Sequence, residues 1–175
     1  MRSLLALSIG LFISAATNAA DVVTSFTLPS KVKVRVVEAP FAQSGLVFEE
    51  KEPCVIEGRV PFGTDCGRPK TYLKELTISY EGKTYQLDTS SMFNAWHGRP
   101  LVALPPKGVK GRGLRYFGGY CVNAESCMVR GLFSDGAGTF VAEWTVSRGI
   151  AVRTVLTTSP DVKAAFVRHI DGVDP

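Results

Sequence analysis

The chain is poor in the residues that carry acid–base catalysis. It contains two histidines, His97 and His169, among 175 residues. A serine hydrolase needs a serine activated by a histidine, yet the sequence has no G-x-S-x-G elbow, and the nearest text, GLFSDG around Ser134, has the wrong order. HExxH, EF-hand, P-loop and dinucleotide-binding patterns are absent as well. We therefore predict no catalytic residues, no cofactor, no metal and no intrinsic hydrolase activity, although a carboxylate pair that meets only in space stays open.

The chain also lacks a strong excess of charge of one sign. Lys and Arg number 20 against 16 Asp and Glu, which gives a formal net charge of +4. Nucleic-acid-binding domains are typically strongly basic with clustered cations. We therefore predict no nucleic-acid partner.

No hydrophobic run in the chain is long enough for a membrane anchor. The apolar run over residues 4–16 is shorter than the roughly 20 residues of a bilayer span. It follows Arg2 and precedes the small residues Thr17, Ala19 and Ala20, the arrangement of a cleavable signal peptide. We predict a signal peptide over residues 1–20 and a soluble mature chain of residues 21–175 in the periplasm.

Four cysteines are present, an even number that predicts two disulfides in an exported protein. They are Cys54, Cys66, Cys121 and Cys127, so three pairings are possible. The local pairs Cys54–Cys66 and Cys121–Cys127 are favoured because short loops find their ends most often. Each bond is expected to contribute about 2–3 kcal/mol. The spacings do not suit a zinc site.

Strand patterns dominate the chain. In residues 139–147 the apolar side chains Phe140, Ala142, Trp144 and Val146 alternate with more polar ones, which is the period of a half-buried strand. The pairs Arg148-Gly149 and Glu81-Gly82 are typical of hairpin turns. The sequence predicts one mainly β domain, an antiparallel and sandwich-like sheet structure.

One helix is predicted at the C-terminal end, over about residues 159–171. Ser159, Pro160 and Asp161 suit a helix start, and Gly172 suits its end. Val162, Ala165, Phe166 and Ile170 share one face. We expect this face to pack on a sheet, with Phe166 as the main anchor.

Residues 31–38, KVKVRVVE, alternate valines with the cations Lys31, Lys33 and Arg35. This pattern predicts a strand with one solvated face. We interpret the cations as protection of a sheet edge against pairing with another chain. A specific anion-binding role is the alternative.

Two loops carry the residue types of a binding surface. Residues 90–100, SSMFNAWHGRP, bring Phe93, Trp96, His97 and Arg99 together, and aromatic and arginine side chains dominate interface energies. The alternative is that Phe93 and Trp96 fill the core. Residues 104–115 carry cations and no acid, a composition suited to contact with an acidic partner or lipid headgroups; the alternative is a loop that is only solvated. We predict partner contacts at Trp96, His97, Arg99, Lys107, Lys110 and Arg112.

Three stretches near the C-terminus, FSDGAGTFVAEW, VRTVLTTSPDV and FVRHID, resemble the C-terminal half of small exported bacterial proteins found beside type VI secretion effectors. The resemblance implies an immunity protein that binds a secreted toxic enzyme and blocks its active site. A small cell-wall or lipid hydrolase and a structural envelope module are the alternatives. The resemblance identifies no inhibitory residue, and the oligomeric state is left open.

Overall fold

The computed structural model describes residues 20–51, 53–96, 117–134 and 138–170, with residues 167–170 described by their backbone alone. The predicted signal peptide, except for Ala20, lies outside these ranges. The main strands are β1 (Val22–Thr27), β2 (Lys33–Pro40), β3 (Phe48–Glu49), β4 (Val55–Ile56), β5 (Thr71–Tyr80), β6 (Lys83–Gln86), β7 (Phe117–Asn123), β8 (Ser126–Phe133), β9 (Phe140–Ser147) and β10 (Ile150–Thr157). Helix α1 spans Pro160–Ile170.

Two four-stranded sheets form the body of the protein. The first sheet has the order β1-β2-β5-β6, and the second has the order β10-β9-β8-β7. Neighbouring strands in both sheets are antiparallel. Strands β3 and β4 form a separate pair. The predicted fold class, a mainly β protein with antiparallel sheets and one C-terminal helix, is confirmed.

The two sheets pack on each other through one apolar core. Alternate side chains of every central strand point inward because successive residues of a strand face opposite sides. The largest contributors, all with at most 2 % of their surface exposed, are Val34, Val36, Leu73, Leu76, Ile78, Val129, Phe133, Phe140 and Trp144. The alternation predicted for residues 139–147 places Phe140, Ala142, Trp144 and Val146 in this core.

Both predicted hairpin turns are present. Glu81 and Gly82 join β5 to β6 with φ of 47° and 81°, and Arg148 and Gly149 join β9 to β10 with φ of 52° and 79°. Two successive positive φ angles match the twist of antiparallel strands. Glycine at the second position accepts this conformation without steric cost.

Helix α1 packs on the outer face of the second sheet. Phe166 is 8 % exposed and contacts Leu132 and Val141. Val141 lies on the more polar side of β9, yet it is fully buried because the helix covers it. Phe166 is therefore the anchor that the helical period predicts.

The two predicted disulfides are also confirmed. Cys54 is bonded to Cys66, and Cys121 is bonded to Cys127. The second bond joins directly opposed residues of β7 and β8. It lies on the inward side of this pair, where Cys127 is buried in the shared core.

The interpretation of residues 31–38 as an edge strand is wrong. Strand β2 pairs with β1 on one side and with β5 on the other. Its valines are buried and its cations Lys33 and Arg35 are exposed, as predicted. A period of two reveals which side chains share a face, but it carries no information about the neighbours of a strand.

Side-chain hydrogen bonds tie the edges of the two sheets together. The Arg153 guanidinium on β10 donates to the backbone oxygen of Ser90, 2.6 Å away, and lies 3.0 Å from the Asp88 carboxylate. The indole Nε1 of Trp144 donates to the backbone oxygen of Asp88 at 2.9 Å. On the opposite seam, the Ser30 hydroxyl donates to the Gly119 oxygen at 2.6 Å.

Candidate functional site

The candidate site lies at the end of the sandwich where Trp96 and Phe117 meet. Their ring centroids are 5.9 Å apart, and that of Trp96 is 5.1 Å from the Phe133 ring. Trp96 is partly buried and packs on the shared core. These two residues border residues 97–116, which lie outside the described chain. The described residues on either side of this gap therefore lie close together.

A buried carboxylate fixes the backbone at this place. Glu38 is 2 % exposed. Its Oε1 accepts hydrogen bonds from the Thr71 hydroxyl and, at 3.2 Å, from the backbone N–H of Trp96. Buried polar groups are costly unless they are hydrogen-bonded, so these contacts both satisfy Glu38 and hold Trp96 in position.

Asn94 provides a second set of anchoring hydrogen bonds. Its Oδ1 accepts from the backbone N–H groups of Lys70 at 2.9 Å and Thr71 at 3.2 Å. Its Nδ2 donates to the Gly63 oxygen at 2.9 Å. Asn94 has a φ of 44°, a conformation that asparagine tolerates better than most residues. The Asn94 side chain thus links its own segment to Gly63 and to the segment of Lys70 and Thr71.

Gly63 permits this close packing. A Cβ atom at this position would lie 1.9 Å from the Phe93 oxygen, and the residue has a φ of 88°. No other residue type fits such an approach without a shift of the backbone. Phe93 itself is 3 % exposed and meets Phe41 edge to face. The base of the site is therefore rigid.

The structure describes few of the predicted contact residues. Of the six, only Trp96 is described, and its ring lies against the core, as one of the two sequence interpretations proposes. The residues His97, Arg99, Lys107, Lys110 and Arg112 lie outside the described ranges. The assignment of all six to a partner interface stays a prediction.

Sequence reasoning missed Glu38 and Asn94. A signal for Glu38 is present, because Val34 and Val36 are the even-numbered, inward-facing residues of β2. Continuing that alternation places position 38 inside as well. Asn94 carries no such signal, since its role depends on Gly63 and Thr71, which are distant in sequence.

The hydrogen bonds of Glu38 and Asn94 mainly hold backbone segments in position. Glu38 receives a hydroxyl and an amide hydrogen bond, and Asn94 bonds only backbone groups in the contacts described above. In the ranges that the structure describes, no group of three His, Cys, Asp or Glu residues is arranged to hold a metal ion. Within the same ranges, no helix has both the length and the apolar character needed to cross a bilayer.

Comparison with protein-family models, with curated proteins and with solved structures found no match to this chain. The resemblance to exported immunity proteins therefore stays a prediction. The function must be argued from the residues of this chain.

Proposed function

We propose that this protein is a periplasmic inhibitor that binds another protein, an immunity protein that neutralises a secreted toxic enzyme. One observation carries the proposal: Trp96 and Phe117, which border residues 97–116, have their ring centroids 5.9 Å apart in the core. Both ends of a strongly basic stretch are thereby held at one end of a rigid sandwich. Such an anchored stretch is suited to present contact residues to a partner.

The charge of the stretch supports an acidic partner surface. Residues 97–116 contain Arg99, Lys107, Lys110, Arg112 and Arg115 and no aspartate or glutamate. Complementary charge accelerates encounter and selects among partners. Arginine also supplies binding energy when it becomes buried at an interface. We assign the inhibitory contacts to this stretch, including His97, and to the exposed part of Trp96.

The scaffold supports tight binding for a second reason. The anchoring hydrogen bonds of Glu38 and Asn94 restrict the base of the site, and two disulfides brace other parts of the chain. A preorganised surface loses less conformational entropy when it binds. The resemblance and the predicted signal peptide place both proteins in the periplasm under this proposal.

The test is a binding assay of the mature protein against the products of neighbouring genes, joined to a toxicity assay in cells that lack the protein. A tight partner is expected, and Arg99→Ala and the pair Lys107→Ala with Lys110→Ala are expected to weaken it at least tenfold, or about 1.4 kcal/mol. Lys51→Ala, which removes an exposed charge elsewhere, is the matched control and should leave affinity unchanged.

Trp96 needs a separate design because its ring packs on Phe117 and Phe133. Trp96→Phe retains an aromatic ring in the core while removing the indole, so thermal melting distinguishes a folding defect from a binding defect. We expect weakened binding with a small change in melting temperature. If a partner binds and all the variants remain within twofold, the contact assignment is wrong.

Other outcomes would contradict the proposed function itself. If no neighbouring product binds and deletion of the gene leaves cells resistant to every adjacent toxin, the protein is not an immunity protein. Turnover of peptidoglycan or phospholipid that one carboxylate substitution abolishes would establish a hydrolase. Self-association without a soluble partner would favour a structural envelope module.

A further inference from the structure

The outward side of the first sheet, here called the polar face, carries two adjoining rows of polar side chains. Cross-strand pairing sets the rows: Thr27, Lys33, Ser79 and Thr84 form one, and Ser25, Arg35, Thr77 and Gln86 form the other. Each of these eight residues bears a hydroxyl, an amide or a cation. Within them there is no acid, no aromatic ring and no large aliphatic side chain.

The geometry of a sheet makes these groups a regular lattice. Neighbouring strands are about 4.8 Å apart, and residues of one face recur about every 6.7 Å along a strand. Lys33 is flanked across the strands by the hydroxyls of Thr27 and Ser79, and Arg35 by those of Ser25 and Thr77. Every cation therefore has a hydroxyl group on each side, and that of Ser79 is hydrogen-bonded to the Thr84 hydroxyl at 2.8 Å.

A depression of about 320 Å³ lies on this face. Its outward-facing lining residues are Ser25, Thr27, Lys33, Arg35 and Ser79. The inward-facing residues Phe26 and Val34 complete the lining. The cations thus adjoin a concave surface as well as open solvent.

The two cations of the depression differ in their partners. Arg35 forms an ion pair with Glu75, which lies in the next row of the sheet. Lys33 forms no ion pair within the described part of the chain. Edge protection does not explain these cations, because β2 is paired on both sides. Lys33 is thus an exposed cation set among hydroxyl groups.

The chemistry of the polar face selects the class of ligand. A lipid would need apolar side chains to enter its acyl region, and single-stranded nucleic acid would need aromatic platforms. A single exposed ion pair contributes only about 0.2–1 kcal/mol, so a small anion would bind very weakly. A ligand that is extended, rich in hydroxyls and acidic can use several positions of the lattice at once.

We infer that the polar face binds an extended acidic polysaccharide, with an acid group of one sugar at Lys33 and sugar hydroxyls on the Ser and Thr lattice. The site lies on the first sheet and involves none of the residues assigned to the inhibitory contacts. It does not depend on the proposed function. Either can fail while the other stands.

The test is a titration followed by backbone amide NMR, which detects millimolar binding. The probes are an alginate hexasaccharide, neutral isomaltohexaose of the same length, and inorganic polyphosphate. We expect the alginate probe to shift amides of β1, β2 and β5 selectively, and the neutral sugar to shift none. Polyphosphate, which matches the charge but not the hydroxyls, is expected to bind at least fivefold more weakly.

Substitutions separate a built site from diffuse attraction. Lys33→Gln should weaken alginate binding at least fivefold, while the matched variant Lys51→Gln should leave it unchanged. Thr27→Val and Ser79→Ala, which remove hydroxyls without changing charge, should each weaken it about threefold.

Three outcomes would overturn the inference. One is the absence of alginate binding at 10 mM probe, about 2.7 kcal/mol of binding free energy. Another is a shift pattern spread over both sheets. The third is loss of binding in Lys33→Gln with no effect of the two hydroxyl variants, since this would indicate charge attraction alone.

Discussion

The outer faces of the two sheets differ in how they meet solvent. The polar face of the first sheet carries Ser, Thr, Lys, Arg and Gln across its two long rows. The outer side of the second sheet instead mixes polar side chains, such as Arg130 and Glu143, with apolar ones. Leu132 and Val141 are covered by α1, whereas an uncovered group has at least 37 % of its surface exposed: Tyr120, Val122, Ile150 and Val152.

The two sheets therefore differ in whether their outer faces must be covered for stability. The two polar rows are stable against water without further cover, whereas Tyr72 at one end of the same side packs under Phe41 and Ile56. An apolar outer face must be buried to contribute hydrophobic free energy. The second sheet therefore depends on α1, and the part that α1 leaves exposed is a surface on which substitutions act on solubility more than on folding.

The largest expected effect tests this dependence at the helix. Phe166→Ala should lower the free energy of unfolding by about 3–5 kcal/mol, because the ring is nearly buried against Leu132 and Val141. Urea denaturation followed by fluorescence measures the change. Ser79→Ala on the polar face is the contrasting variant and should change stability by less than about 0.5 kcal/mol. A loss below about 1 kcal/mol for Phe166→Ala would show that the helix does not dock through this residue.

A second experiment compares two ion pairs, one at the seam between the sheets and one on the polar face. Arg153 bonds the backbone of Ser90 and pairs with Asp88, and its side chain is only 16 % exposed. Arg153→Met should cost about 2–3 kcal/mol, because hydrogen bonds of a charged group are lost and their partners stay partly buried.

Arg35→Met is the matched control for the seam. Arg35 pairs with Glu75 in solvent, with 44 % of its side chain exposed, so its loss should cost less than about 1 kcal/mol. Thermal or urea denaturation of both variants gives the comparison. Equal losses would contradict the distinction between seam and surface.

The seam should also respond to acid. Partial burial by itself raises the pKa of Asp88, but the side-chain and backbone hydrogen bonds of Ser90, with Arg153, hold it below the ordinary 3.8. Because the folded-state pKa is lowered, Asp88 stabilises the protein at pH values above the ordinary 3.8, and this stability is lost as the pH falls through the lower folded value.

Asp88→Asn removes the titrating group while an amide oxygen can still accept the Ser90 N–H. We therefore expect the stability of the variant to decline less between pH 5 and pH 3 than that of the native protein. Urea midpoints at these two pH values provide the measurement. Parallel declines would show that the acid sensitivity arises elsewhere.

The smallest expected effect exchanges the character of the two outer faces. Val152→Thr removes an apolar side chain from the uncovered part of the second sheet, and Thr77→Val adds one to the polar face. Both should change stability by less than about 0.5 kcal/mol. Retention on a phenyl column should decrease for Val152→Thr and increase for Thr77→Val. Unchanged retention in both would mean that these positions do not face solvent as described.

Local sequence signals predicted the hairpins, the helix and both disulfides. Glu81-Gly82 and Arg148-Gly149 encode their turns within two residues, and Cys121 and Cys127 are close enough to pair with little loss of entropy. The start of α1 at Pro160 is encoded by its own residues. These features need no knowledge of distant parts of the chain.

Local sequence signals do not predict which strands are neighbours or how the base of the candidate site is built. The edge interpretation of β2 failed because strand β5, which pairs with it, is more than thirty residues downstream. The burial of Val141 depends on a helix that follows it by about twenty residues. The sequence leaves Trp96 with two possible roles, partner contact and core filling. Only the contacts with Phe117 and Phe133 show that its ring packs on the core.

The order of strands has a consequence for how the chain folds. The second sheet is a meander in which every strand pairs with its neighbour in sequence, from β7 to β10. The first sheet requires β2 to find β5 across residues 41–70, and closing that length costs chain entropy before any contact repays it. We expect the meander to form early. The Cys54–Cys66 bond lies inside the intervening stretch, so oxidation of this pair should shorten the search and speed the last step of folding.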